Sequence, residues 1–145
     1  MYKTVTPIEA KALLDTERYR YVDVRTEAEF VAGHADGAVN VPVALAGPMG
    51  MQPNTDFLRT MQANFPPDSR LVVGCKVGGR SARACQILED AGYSNLVNMD
   101  GGFHGRFDPM GRLVQPGWSH HELPTSTDNG DGVSHASLAA KAEGQ

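Results

Sequence analysis

Cys75-Lys76-Val77-Gly78-Gly79-Arg80-Ser81 brings one thiol, two cations and a glycine pair into a single short stretch. An apolar run, Leu71-Val72-Val73-Gly74, precedes it, and a helical pattern over residues 81–91 follows. A cysteine that ends a buried strand and faces the start of a helix meets unpaired backbone N–H groups and the positive end of the helix dipole. Both favour a negative sulfur and an anionic ligand. Gly78 and Gly79 allow successive N–H groups to turn inward as an anion-binding nest, and Lys76 and Arg80 add positive charge. The chemistry implied is nucleophilic attack by a thiolate on an anionic substrate. The second cysteine, Cys85, falls in the following helix beside Ala84 and Ile87, where a small core residue is expected. With Cys75 ending the strand and Cys85 in the second helical turn, a disulfide between them is not expected. No Cys/His spacing for zinc is present.

The elements that must position this loop alternate along the chain. Thr4-Val5 reads as a short strand. Thr6-Pro7-Ile8-Glu9 is a capping box with proline at the first helical position, opening a helix over residues 7–15. Tyr21-Val22-Asp23-Val24 is rich in sheet formers. Thr26-Glu27-Ala28-Glu29 is a second capping box, starting a short helix that Gly33 stops. A strand is expected over residues 38–41, a loop over the Gly-, Pro- and Met-rich residues 44–54, and a helix over 54–65 with Phe57, Leu58 and Met61 on one face. The central strand 71–73, the helix 81–91 ending at Gly92, and a last strand 96–99 complete the pattern. Such alternation argues for an α/β fold with a mainly parallel sheet covered on both faces. Ligands gather beyond the carboxyl ends of strands in such sheets, and Cys75 stands at one. Phe107-Asp108-Pro109-Met110-Gly111-Arg112 signals a hairpin or structured loop within residues 103–116. Residues 125–145 are polar and nearly free of large apolar side chains. They read as a disordered tail, with marginal helix over 137–143 at most.

At 145 residues the chain suits one domain. Its net charge of −4 gives no electrostatic case for nucleic acid. No apolar stretch approaches a membrane span, and no secretory signal pattern opens the chain. A reducing, cytoplasmic setting is the simplest expectation.

Two separated motifs resemble the rhodanese family of sulfurtransferases. The first is Tyr21-Val22-Asp23-Val24-Arg25-Thr26-Glu27-Ala28-Glu29-Phe30 with Gly33-His34-Ala35-Asp36-Gly37-Ala38-Val39-Asn40-Val41-Pro42. The second is Cys75 to Ser81 with Ala82-Arg83-Ala84, followed by Leu96-Val97-Asn98-Met99-Asp100-Gly101-Gly102. The resemblance implies a single rhodanese-like domain over residues 1–124, with a five-stranded, mostly parallel sheet and helices on both faces. It also implies movement of sulfane sulfur from thiosulfate or a related anionic donor to cyanide, a thiol or a protein thiol, through a persulfide on Cys75. No metal or organic cofactor is implied. Lys76, Val77, Gly78, Gly79, Arg80 and Arg25 are then the substrate-binding candidates, with Asp23, Arg83 and Ser81 as structural support and Asp23–Arg83 as a polar pair. The loop from Cys75 to Arg80 has the six-residue length of sulfurtransferases; phosphatases and arsenate reductases of this fold carry one residue more. A persulfide carrier or binding module serving a partner protein is the alternative.

The chain departs from the family pattern in two places. Many members carry a tryptophan soon after the Gly-Gly pair. Here Phe103-His104-Gly105 stands there, and Trp118 follows only after the extra residues 106–116. The segment beyond Pro124 has no counterpart in the minimal domain. Among the histidines, His34 reads as a structural hydrogen-bonding residue, His104 as a weak candidate for the site's mouth, and His120-His121 as solvated surface.

Overall fold

Both capping boxes form. Thr6 Oγ1 accepts the Glu9 N–H at 3.2 Å while Glu9 accepts the Thr6 N–H at 2.9 Å, and Thr26 with Glu29 repeats the pattern. Each N-cap side chain stabilises its helix by about 1 kcal/mol. In the computed structural model, which describes residues 1–144, the chain runs β1 (Lys3–Val5), α1 (Pro7–Thr16), β2 (Arg20–Asp23), α2 (Glu27–Ala32), β3 (His34–Ala35) and β4 (Val39–Asn40). It continues through β5 (Ala44–Gly47), β6 (Gly50–Pro53), α3 (Phe57–Asn64), β7 (Arg70–Gly74), α4 (Gly79–Asp90) and β8 (Asn95–Met99). Then follow β9 (Arg106–Phe107), β10 (Leu113–Gln115), a 3-10 turn (Trp118–His121), β11 (Thr125–Ser126) and α5 (His135–Glu143).

Five strands form one sheet in the order β1-β8-β7-β2-β4, and every pairing within it is parallel. The expected mostly parallel sheet is therefore wholly parallel. Side chains alternate across it with the period of two that strands impose. Val22, Leu71, Val73 and Leu96 point to one face, where Phe57 and Met61 of α3 and Ala84, Cys85 and Leu88 of α4 pack on them. Tyr21, Val72 and Val97 point to the other, against Ala10 of α1, Phe30 of α2 and Trp118. Burial on both faces is why β7 reads as an unbroken apolar run. β7 lies in the middle of the sheet, so Cys75 leaves its carboxyl end between the two layers.

Residues 44–54 correct one expectation. They form the antiparallel hairpin β5–β6, closed by Pro48 and Met49, where a loop was expected. Its strands are almost wholly exposed, so no buried face wrote an alternating pattern into the sequence. Residues 103–116 hold the expected hairpin, β9–β10. It loops out and returns: Trp118 N–H donates to Gly102 O at 2.9 Å, and Trp118 buries its ring against Tyr21, with centroids 5.5 Å apart.

The tail is the larger correction. Where disorder was expected, β11 pairs antiparallel with β3, and α5 packs on α3. Leu138 and Ala142 are buried, Asn64 Nδ2 donates to Leu138 O at 3.1 Å, and the Asn40 N–H donates to Val133 O at 2.9 Å. A helix this short is marginal alone, so docking of two small apolar side chains, rather than composition, accounts for its order. Leu138→Ala is expected to lower unfolding stability by about 2–3 kcal/mol, read from the denaturant midpoint. An unchanged midpoint would show that α5 contributes nothing to the core.

Candidate active site

The turn out of β7 is built around one sulfur. Gly78 N–H donates to Cys75 Sγ at 3.0 Å, and Cys75 is 1% exposed, at the floor of its loop. Gly78 sits at φ +118°, a backbone state that glycine adopts without penalty, and is the residue that caps α4. α4 starts at Gly79, two residues earlier than the apolar pattern indicates, so Gly79, Arg80 and Ser81 form its first turn. As first-turn residues they have no intrahelical acceptor for their N–H groups, and the N–H that reaches the sulfur is that of Gly78. Ser81 is fully buried, with Oγ 3.4 Å from Sγ, and its one hydroxyl hydrogen has Asn98 Oδ1 and Gly78 O within reach as acceptors.

A second segment grips the loop from outside. The Phe103 N–H donates to Cys75 O at 2.8 Å and the His104 N–H to Lys76 O at 2.9 Å. Gly102 lies so close that a Cβ there would collide with Cys75 O and with the Lys76 carbonyl, and it sits at φ +55°. That close approach explains the Gly-Gly pair after β8. Gly74 has a parallel reason: a Cβ there would strike the Tyr21 phenol.

The cations divide into committed and free. Asp23 pairs with Arg25, not with Arg83 as expected: Arg25 Nε and Nη2 donate to the Asp23 carboxylate at 2.7–3.0 Å, both residues being buried. Two residues apart on one strand end, they are already within reach of each other, whereas Arg83 stands exposed on α4. Arg25 also donates to Gly33 O and lies over the Phe103 ring, 4.7 Å from its centroid. Arg80 is taken by Glu29, with two bonds of 2.7 and 2.9 Å. Glu29 therefore serves twice, in the α2 capping box and as the Arg80 partner. The Arg80 hydrogen bonds hold its carboxyl well below the ordinary 4.5, at about 2, against an opposing effect of burial. Lys76 and Val77 are exposed. Cys85 is fully buried, and desolvation pushes its thiol up to about 12, which leaves it inert as a nucleophile.

Beside the loop lies a cleft of about 190 Å³, bounded by Arg25, Glu29, Gly33, Lys76, Phe103 and His104. A shallower groove of about 640 Å³ adjoins it across Gly33 and Phe103 and runs toward Ser119 and residues 125–127. The sequence reading missed Glu29, Asn98 and the Gly101-Gly102 contact as parts of one site, while His104, read as a candidate for the site's mouth, does line the cleft. Only the capping box around Glu29 and the Gly-Gly pair left a signal, and neither reveals its partner. His34 is the structural residue expected: buried, with Nδ1 2.8 Å from Phe30 O, and stacked on the Phe30 ring.

Comparison with known proteins gives the family of this fold. The model of the rhodanese-like domain matches residues 6–106, and the chain belongs to that family. It is 38% identical over 107 residues to thiosulfate sulfurtransferase 16, chloroplastic, of Arabidopsis thaliana, covering 74% of this chain and 79% of that protein. It is 39% identical over 106 residues to the mitochondrial protein HIGH ARSENIC CONTENT 1 of the same plant, covering 73% of this chain and 62% of that protein. Among solved structures, the crystal structure of Rv0390 from M. tuberculosis superposes with a TM-score of 0.72 at 30% identity, over 88% of this chain and all of that one.

The Glu29–Arg80 pair carries a pH dependence. The folded pKa of Glu29 is depressed, so its contribution is complete above the ordinary 4.5 and is lost as pH falls through about 2. The stability difference between the native chain and Glu29→Gln, read by denaturation, is expected to be constant above that window and to shrink across it. A difference that does not narrow on acidification would show that the pair is not linked to folding.

Proposed function

We propose that the chain is a sulfurtransferase that takes sulfane sulfur from thiosulfate or a similar anionic donor and passes it on through a persulfide on Cys75. The observation that carries this reading is the Gly78 N–H on Sγ within a loop of sulfurtransferase length; the relative named as a thiosulfate sulfurtransferase supports it. The Cys75 thiolate attacks the outer sulfur of thiosulfate. The donor S–S bond breaks, its electron pair leaves with sulfite, and Cys75–S–S⁻ remains under the loop N–H groups. Those fixed dipoles stabilise the anion without any reorganisation during the step. Because an S–S bond is about 2 Å long, the outer sulfur stands at most that much nearer the mouth than the buried Sγ does.

Arg80 is bound to Glu29, so Lys76, exposed at the loop's rim, is the cation left for the sulfonate end of the donor. Val77, Gly78 and Gly79 supply backbone, Arg25 a fixed positive wall, and Asp23 and Ser81 the support behind them. Asp23 holds Arg25 and Ser81 ties the loop to Asn98.

Incubation with thiosulfate is expected to add one sulfur atom to Cys75, seen by mass spectrometry, and Cys75→Ser to abolish both the adduct and turnover. Lys76→Ala should raise the KM for thiosulfate roughly tenfold, as loss of one charge-assisted contact does, with kcat little changed. Persulfide-independent sulfur transfer by Cys75→Ser would end the proposal. Arsenate and an aryl phosphate ester belong in the same panel, since one relative is named for arsenic content. Turnover of either without thiosulfate activity would favour oxyanion chemistry instead. Slow discharge to cyanide beside fast discharge to one protein thiol would favour a carrier.

A further inference from the structure

Three basic groups, Arg25, Lys76 and His104, line the cleft beside the cysteine loop, Arg80 stands behind its Glu29 wall, and their commitments differ. Arg25 is bound to Asp23 and Arg80 to Glu29. Lys76 makes no ion pair among the described residues, and the His104 ring makes no hydrogen bond among them. Three of the other histidines are occupied: His34 on Phe30 O, His120 Nδ1 accepting the Gly117 N–H, and His135 on Glu27. His104 thus brings a free imidazole to the cleft. Its place is fixed by backbone, because the bonds from Phe103 to Cys75 O and from His104 to Lys76 O hold residue 104 in register with the loop.

Resting on the sulfurtransferase reading, we infer that His104 is the catalytic base of the second half-reaction, taking the proton of an acceptor thiol that enters this cleft. An ordinary aliphatic thiol, with a pKa of about 8.5, is mostly protonated at neutral pH and must lose that proton to attack. The carboxylates near the cleft are tied up in ion pairs, which leaves the imidazole to receive it. The groups that face His104 are Lys76 from the loop, Arg25 beyond β2, Glu29 from α2 and His120 from the 3-10 turn. Burial first, then the charges of Lys76 and Arg25, lower its pKa below the ordinary 6.5. The ring is therefore neutral, and able to accept, at neutral pH.

The step balances without an added redox partner. The imidazole takes the S–H proton of RSH, and the freed lone pair forms an S–S bond to the outer sulfur of Cys75–S–S⁻. The bond from that sulfur to Sγ breaks, and its electron pair returns to Sγ under the Gly78 N–H. The imidazolium gives its proton to the transferred sulfur, so RSH and Cys75–S–S⁻ become RS–SH and Cys75–S⁻. The cleft and its adjoining groove are far larger than cyanide requires, which suits a thiol with a body, such as a small peptide thiol.

The test separates the two half-reactions. The protein is loaded with thiosulfate, freed of donor, and discharged in a single turnover with sulfite, with an aliphatic thiol, or with an acidic aromatic thiol that is already ionised. In His104→Gln and His104→Ala, discharge to the aliphatic thiol is expected to slow by roughly a hundredfold, the scale of lost general-base catalysis. Discharge to sulfite and to the aromatic thiol should stay near the native rate. The native chain should also lose aliphatic discharge as pH falls through the His104 pKa, and the variants should lack that limb. Equal slowing of both thiols, or no slowing of either, overturns the inference. A native chain that never loads a persulfide overturns the sulfurtransferase reading itself, and the inference with it.

Discussion

The two hydrogen bonds from Phe103 and His104 to the carbonyls of Cys75 and Lys76 are the constraint on which the rest of the site depends. In a planar trans peptide the C=O and the following N–H point to opposite sides. Holding those two carbonyls toward the Gly102 segment turns the next N–H groups the other way and keeps them out of any ladder. The turn that brings the Gly78 N–H onto Sγ is thus held from outside the loop as much as by its own glycines. Gly102 permits the contact because it lacks a Cβ, and Gly78 permits the reversal because it tolerates φ +118°. The same pair of bonds places Phe103 under Arg25 and His104 at the cleft, so one backbone contact sets the loop, its floor and one wall.

Charge is then distributed by pairing rather than by accumulation. A buried guanidinium such as Arg25 is tolerable only with a carboxylate in good geometry, and removing one partner of such a pair typically costs about 3–5 kcal/mol. Asp23 meets that need from two residues away, and Asn40 Nδ2 donates to the carbonyls of both Asp23 and Arg25, fixing the strand end that carries them. Arg80 is partly exposed, and its pairing with Glu29 pins the first turn of α4 to the start of α2. Two cations become structure, and the one left at the cleft for a ligand is Lys76, which has nothing else to hold.

The sheet, the helices on its faces and the cysteine loop were legible because their signals are local. Val72 and Val73 are buried on opposite faces, and each capping box lies within four residues. Pairings across the fold left no such trace. Asp23 and Arg83 belong to the two motifs and carry opposite charge, but proximity along β2 gave Asp23 to Arg25. Glu29 looked fully used by its capping box. The β5–β6 hairpin has no buried face to impose a period of two, and α5 has too few apolar residues to stand out until Leu138 finds its place near α3. Composition records what a segment could do alone, and these segments are ordered by what they touch.

The helix α2 shows how far that dependence reaches. It has six residues, too few to persist in isolation. Its capping box holds one end, and at the other Gly33 O accepts from Arg25 while Phe30 packs in the core against the His34 ring. His135, at the start of α5, reaches Glu27 at 2.6 Å, and Glu29 reaches Arg80 on α4. The C-terminal segment and the cysteine loop therefore lean on the same short helix from two sides. Ala32, Gly33 and Phe103 line both the cleft and the adjoining groove, whose far rim is formed by Thr125 and Ser126 of β11. The segment that composition marked as a disordered tail thus supplies part of the groove's wall, so the surface beside the cleft is built by residues far from the cysteine in sequence.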